Sequence, residues 1–199
     1  MHGLINRSLQ CFVRDTYGQE AWLRVAARAG CGPEGFEALT IYEDALTDQV
    51  LSAASALLDK PREALLEDLG TYLVSHPGLE RVRRLLRFGG GTFEDFLHSL
   101  GDLQGRARLA VPDLEVPKID LRGHTPGSYT LSCRFRLAGS GYVMMGILRA
   151  LADDYGALVM LDHLGRQEGA EILSVRLLDP RFSEGRQFIL AAGGGQGDG

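Results

Sequence analysis

Histidine and cysteine are the residues of this chain best suited to metal binding or nucleophilic chemistry, and neither type is clustered. The five histidines are spread over the chain, at His2, His76, His98, His124 and His163. Their spacing is not that of metal ligands on one helix or in one loop. Cys11, Cys31 and Cys133 are odd in number and far apart, which favours reduced thiols over a disulfide framework or a zinc site.

Two glycine runs, at residues 89–91 and 139–141, could suggest phosphate-binding loops. Neither is followed by Lys-Ser or Lys-Thr, and neither stands between a hydrophobic strand and a helix in the required order. The sequence also lacks a Gly-x-Ser-x-Gly elbow and any spacing typical of a Ser-His-Asp triad. We therefore predict that the chain is not an enzyme.

Composition excludes several other classes of function. The chain has 199 residues, of which 45% are hydrophobic, so one substantial core is expected. Its formal charge of −5 provides no attraction for nucleic acid or anionic lipid. The first 13 residues are too polar for a signal peptide, and no apolar run approaches the roughly 18 residues of a membrane span. We expect a soluble, cytoplasmic protein.

The elements that would position a site are helical in the first half of the chain. Apolar residues recur at three and four between residues 3 and 29, with a break at Tyr17-Gly18, and further helices are predicted over 42–58 and 62–76. Thr92 and Asp95 form an approximate capping box for another helix, predicted to run to about residue 107. One stripe of that helix contains Phe93, Phe96, Leu97, Leu100, Leu103, Gln104 and Ala107. Gln104 is thus a polar residue on an apolar face, and we expect it to have a hydrogen-bond partner.

In the second half of the sequence, apolar and polar residues alternate as they do in half-buried β-strands. Leu131, Cys133, Phe135 and Leu137 alternate with polar residues, a helix is predicted over 142–155, and two strands are predicted over 157–163 and 171–178. Helices followed by an antiparallel sheet indicate an α+β fold. We predict one domain over 1–185, with a helical part to about 65 and a helix-plus-sheet part over 66–185. Residues 186–199 form a tail, and 193–199 are expected to be disordered.

Four segments resemble the haem nitric oxide/oxygen binding (H-NOX) family in order and spacing. They are MHGLINRSL at 1–9, YGQEAW at 17–22, FEDFLHSLGDLQGR at 93–106 and GYVMMGILRALADDYG at 141–156. The resemblance covers roughly residues 1–180. It implies N-terminal helices followed by a helix-packed antiparallel sheet, and a sensor that acts on a histidine kinase or a diguanylate cyclase.

The same resemblance places Gln104 where the family has the histidine that binds haem iron. A glutamine amide is a poor iron ligand, and His98, about 120° away around a continuous helix, is expected to face solvent. The family's second device is a Tyr-x-Ser-x-Arg clamp for the haem propionates. Its positions fall either on Cys133, Phe135 and Leu137 or on Arg134, Arg136 and Ala138. The apolar set is the one expected to face inward, because the other would bury two arginines.

Pro117 matches the family's haem-contacting proline, and Tyr142 or Val143 falls near the distal ligand position, with Tyr142 as the candidate. With the iron ligand and the clamp both missing, we predict no haem cofactor. The residues expected around the former haem cavity are Ile5, Leu9, Leu73, Phe96, Leu100, Gln104, Pro117, Cys133, Phe135, Leu137 and Tyr142. The predicted function is a haem-independent sensor that binds an apolar ligand, for example a fatty acid, or a protein partner. The alternative is a haem gas sensor with an unusual axial ligand.

Overall fold

Four helices form the first half of the protein. The computed structural model describes residues 1–87 and 90–178. The helices are α1 (Gly3–Tyr17), α2 (Gln19–Ala29), α3 (Asp44–Leu58) and α4 (Arg62–Ser75). Gly18, with φ of 92°, separates the first two, as the sequence predicts, and Pro61 caps the fourth. The predicted tail at 186–199, the stretch 193–199 and the domain end at 185 lie outside the described residues.

The helix predicted from Thr92 to about residue 107 is divided in two. It comprises α6 (Phe93–Ser99), a 3₁₀ turn (Leu100–Asp102) and α7 (Leu103–Ala110). The prediction of one continuous helix was wrong because Arg106 donates to the carbonyl of Ser99, at 2.8 Å, and so takes an acceptor that a continuous helix would use. A short helix that was not predicted, α5 (Glu80–Leu86), precedes them. The capping box of Thr92 and Asp95 is confirmed.

A four-stranded antiparallel sheet follows, so the α+β class is confirmed. Its strands are β1 (Lys118–Thr125), β2 (Ser128–Arg134), β3 (Val159–Gln167) and β4 (Ala170–Leu177), in the order β1-β2-β4-β3. Helix α8 (Ser140–Tyr155) connects β2 to β3 and packs on α4. Strand β1 was not singled out from the sequence.

Strand β2 ends earlier than the alternating pattern predicts. Arg134 is the last residue in register, opposite Lys118 on β1. Pro117, just before Lys118, has no N–H to continue that ladder, and on the other side β4 begins only at Ala170. Phe135 and Leu137 therefore lie beyond the strand, in the connection to α8.

The buried side chains form two clusters. The helical core, built by α1 to α4, contains Phe12, Trp22, Leu51, Leu65 and Leu137 among others. The sheet core, between the sheet and helices α6 and α8, contains Phe96, Leu100, Leu131, Leu148 and Leu173 among others. Leu73, Tyr142 and Val143 pack against both, so they join the two cores. None of the described helices is long and apolar enough to cross a membrane.

Candidate functional site

Gln104 is half-buried near the start of α7, and its side chain has a protein partner. Its amide Nε2 donates to the backbone carbonyl of Val116 at 3.0 Å. This confirms the expectation that a polar residue on the apolar stripe would be hydrogen-bonded. Gln104 lines a groove, however, and is not among the buried residues of the sheet core.

The eleven predicted cavity residues are distributed over both cores. Phe96, Leu100 and Cys133 belong to the sheet core, Ile5, Leu9, Phe135 and Leu137 belong to or border the helical core, and Leu73 borders both. Tyr142 contacts both cores, and Pro117 is half-buried just before β1. Phe96 and Leu100 are 0% exposed, as expected for side chains packed by their neighbours.

The inward-facing set at the end of β2 is the apolar one. Cys133 and Leu137 are buried and Phe135 is half-buried, while Arg134 and Arg136 are exposed. Burial raises the pKa of the Cys133 thiol to about 11, so the group is a neutral thiol at physiological pH. Because Cys133 faces the sheet core and Leu137 faces the helical core, the three side chains do not form a single clamp.

A groove of about 290 Å³ runs between α7 and the end of β2. Its lining residues are Gln104, Arg108, Leu114, Glu115, Val116, Arg134, Phe135 and Arg136. It brings together the predicted residues Gln104 and Phe135. It also contains Arg108, which the sequence did not single out, and Arg134 and Arg136, which belong to the set that was not expected to face inward. The one available signal was the alternation around Phe135, which places Arg134 and Arg136 on exposed positions.

A second pocket, of about 400 Å³, lies beside the N-terminus of α8. The buried carboxylate of Glu171 accepts hydrogen bonds from the N–H groups of Gly139 and Gly141, both at 2.7 Å. His163 Nε2 lies 3.3 Å from the same carboxylate, and Tyr142 stacks on the His163 ring. The Gly-Ser-Gly run thus binds an anion that the chain itself supplies, a role the sequence did not suggest.

The remaining histidines are placed where they make structural contacts or face solvent. His2 is buried and caps α1 by accepting from the N–H of Leu4, at 3.2 Å. His98 is exposed, as predicted, with its ring edge against Tyr129. Among the described residues, histidine, cysteine and carboxylate side chains form no group of three that could hold a metal ion.

The fold is that of the H-NOX proteins. The structure matches an H-NOX protein from S. oneidensis in the Fe(II) ligation state with a TM-score of 0.76, over 90% of this chain and 97% of that one. It matches an H-NOX protein from K. algicida with a TM-score of 0.70, over 90% and 97%. Sequence identity is 14% and 17%, respectively, so these matches define the fold alone.

Sequence comparison assigns the family. Residues 2–163 match the haem-NO-binding (HNOB) family, and the chain belongs to that family. Two relatives are soluble guanylate cyclase 89Db of Drosophila melanogaster and soluble guanylate cyclase gcy-31 of Caenorhabditis elegans, each 23% identical. They match over 80% and 77% of this chain, which spans only 24% and 22% of their lengths. The similarity to these cyclases therefore concerns a minor part of each.

The side chain that the resemblance places at the family's iron-ligand position is an amide, not an imidazole. The amide of that residue, Gln104, is engaged with the carbonyl of Val116. Phe96 and Leu100, two further residues predicted around the cavity, are fully buried in the sheet core.

Proposed function

We propose that this chain is a haem-independent regulatory domain, an H-NOX fold that transmits a signal without an iron centre. The observation that supports it most directly is the Gln104 side chain, hydrogen-bonded to Val116 at the position that the resemblance assigns to the iron ligand. An imidazole offers iron a nitrogen lone pair, whereas a primary amide nitrogen is only a hydrogen-bond donor.

The signal enters as a small ligand with an apolar part, as the predicted residues around Gln104 and Phe135 suggest. The proposed place of entry is the groove beside α7, because Phe96 and Leu100 behind it are already fully packed. The output partner is a signalling protein in the cytoplasm, a histidine kinase or a diguanylate cyclase. The family membership and the small share of the cyclase relatives that this chain spans support a module that regulates another domain or protein.

The test is haem reconstitution of the purified chain. We expect a colourless protein that shows no stoichiometric Soret band after hemin is added and excess hemin is removed. An H-NOX protein from S. oneidensis, prepared in parallel, provides the positive control. A Soret band at one haem per chain with a defined axial ligand would support the alternative, a gas sensor with an unusual ligand, and would refute this proposal.

The variant Gln104→His separates the contribution of the ligand from that of the surrounding site. We expect it to remain unable to hold haem tightly, because the positions of the family's clamp carry Cys133, Phe135 and Leu137, and the arginines of the groove, Arg108 and Arg134, lie outside those positions. Gln104→Leu serves as a matched control that also removes the amide but adds no ligand. If Gln104→His alone gave a tight, stoichiometric haem complex, the site would be a haem pocket lacking only its ligand.

A further inference from the structure

The groove beside α7 is unusually rich in arginine. Arg108, Arg134 and Arg136 line it, against one acidic residue, Glu115. Arg136 is ion-paired with Glu115 and lies 3.7 Å from a carboxylate oxygen of Asp44. Among the described residues, no carboxylate oxygen lies within the 4.0 Å limit of an ion pair to Arg108 or Arg134. Two guanidinium groups are therefore available to an anion from solution.

The other side of the groove is apolar. Phe135, Leu114 and Val116 are half-buried there, and the Nε2 of Gln104 is already used by Val116. A fully polar anion would leave this surface without a contact, whereas a hydrocarbon chain would cover it. The groove thus combines a cationic rim with an apolar wall, which is the arrangement that an amphipathic anion requires.

The volume limits the size of such a ligand. About 290 Å³ is at the lower end of the range for small-molecule sites. A carboxylate with a hydrocarbon chain of medium length is a ligand that suits this end of the range.

We infer that the groove binds a medium-chain monocarboxylate, with the carboxylate at Arg108 and Arg134 and the chain against Phe135. Guanidinium groups bind carboxylates through paired, charge-assisted hydrogen bonds, which fixes the end of the ligand that carries the charge. The inference depends on the proposed function in one respect, that the former haem position is free of haem. It adds the charge, the size and the binding residues of the ligand.

Calorimetric titration of the full chain with sodium octanoate, below its micelle-forming concentration, tests the inference. We expect saturable binding at one site per chain. 1-Octanol and octylammonium have the same hydrocarbon chain without the negative charge. We expect the affinity of each to be lower than that of octanoate by about tenfold or by a larger factor. Equal affinity for octanoate and 1-octanol, or no binding of octanoate, would overturn the inference.

Charge-removing variants locate the site. Arg108→Gln and Arg134→Gln should each weaken octanoate binding by about tenfold. Arg122→Gln is the matched control: Arg122 is also exposed, but it lies on β1 four residues beyond Lys118, the partner of Arg134, or about 13 Å along the strand. We expect that variant to bind as the unchanged protein does.

All three arginines are exposed, so the variants should fold normally, and their thermal unfolding provides the check. Equal weakening by Arg122→Gln would show a general charge effect and would contradict the assigned site. The outcome is independent of the haem test. Failure to bind octanoate in a protein that also rejects haem overturns only this inference, whereas stoichiometric haem uptake overturns the proposed function itself.

Discussion

Gln104 is the residue on which the proposed haem independence rests. Its side chain lies near the start of α7 and donates to the Val116 carbonyl at 3.0 Å. Loss of this hydrogen bond would leave the half-buried amide and the Val116 carbonyl unpaired, at a cost of about 1 kcal/mol or more. Gln104 is therefore a structural contact between α7 and the segment that leads into β1.

Tyr129 allows a prediction about pH. Its hydroxyl donates to Glu94 Oε1 at 2.6 Å, and this hydrogen bond, with burial, raises the pKa of Tyr129 to about 12 from 10.0. Because the folded-state pKa is the higher one, the stabilisation is complete below about pH 10 and is lost as the pH rises from 10 to 12. Tyr129→Phe should lower the free energy of unfolding by about 1–2 kcal/mol at pH 8, and the difference should shrink above pH 10.

Urea denaturation at a series of pH values measures this. Tyr142→Phe is the control, because the Tyr142 hydroxyl takes part in no hydrogen bond among the described residues. Its effect on stability should be smaller. A Tyr129→Phe effect of the same size at pH 8 and pH 12 would show that the hydrogen bond to Glu94 does not contribute.

At the level of elements, the sequence predicted long helices well and interruptions poorly. The helices now seen as α1 to α4 and α8 were expected within about two residues, because their apolar periodicity extends over three or more turns. The break after Ser99 was missed because apolar periodicity does not reveal the side-chain hydrogen bond that accompanies it, from Arg106 to the Ser99 carbonyl seven residues before. Helix α5, with seven residues, is too short for a clear periodic signal.

The candidate site was predictable only in part, for a related reason. The inward position of Cys133 follows from the alternation of apolar and polar residues along the strand. The need of Gln104 for a hydrogen-bond partner follows from the cost of an unpaired amide. The arginine groove lies where α7 begins after the helix break and where β2 ends at Arg134, and the apolar pattern of the sequence reveals neither event. The anchoring of Glu171 at Gly139 and Gly141 joins residues about thirty positions apart.

The crossing of α4 and α8 gives a prediction at this scale. Gly70 and Gly146 face the partner helix so closely that an added methyl group would collide with the carbonyl oxygens of Val143 and Glu67, respectively. Gly146→Ala should therefore push the helices apart and lower the free energy of unfolding by about 1–3 kcal/mol, as overpacking does. Urea denaturation measures the change.

Gly105 provides the matched control. It lies in α7, is exposed, and has no atom within 4 Å of an added methyl group. Gly105→Ala should raise the free energy of unfolding by about 0.5–1 kcal/mol, because alanine loses less backbone freedom in a helix. A neutral or stabilising Gly146→Ala would mean that the crossing can relax and that the close approach is not needed.

The molecule as a whole has two hydrophobic cores, and some side chains pack against both of them. Leu73 from α4 and Tyr142 and Val143 from α8 pack against both, so the two helices that cross at Gly70 and Gly146 also join the cores. Phe135, which lines the groove, also packs against the helical core, so a ligand in the groove would contact a side chain of that core. Such coupling of the two cores is what a regulatory domain of the proposed kind requires.

The coupling predicts that the described domain unfolds in one transition. Trp22 is the only tryptophan, it is buried in the helical core, and its fluorescence reports on that core alone. Leu173 is 0% exposed in the sheet core, and Leu173→Ala should cost about 2–5 kcal/mol. If the cores are coupled, this distant substitution will lower the melting temperature read from Trp22 fluorescence as much as that read from circular dichroism.

Leu51→Ala, in the helical core, is the reference and should shift both signals together. The opposite outcome is that Leu173→Ala leaves the Trp22 transition unchanged while circular dichroism shows an earlier unfolding step. This would mean that the sheet core unfolds alone. A ligand at the groove could then not affect the helices through the packed core.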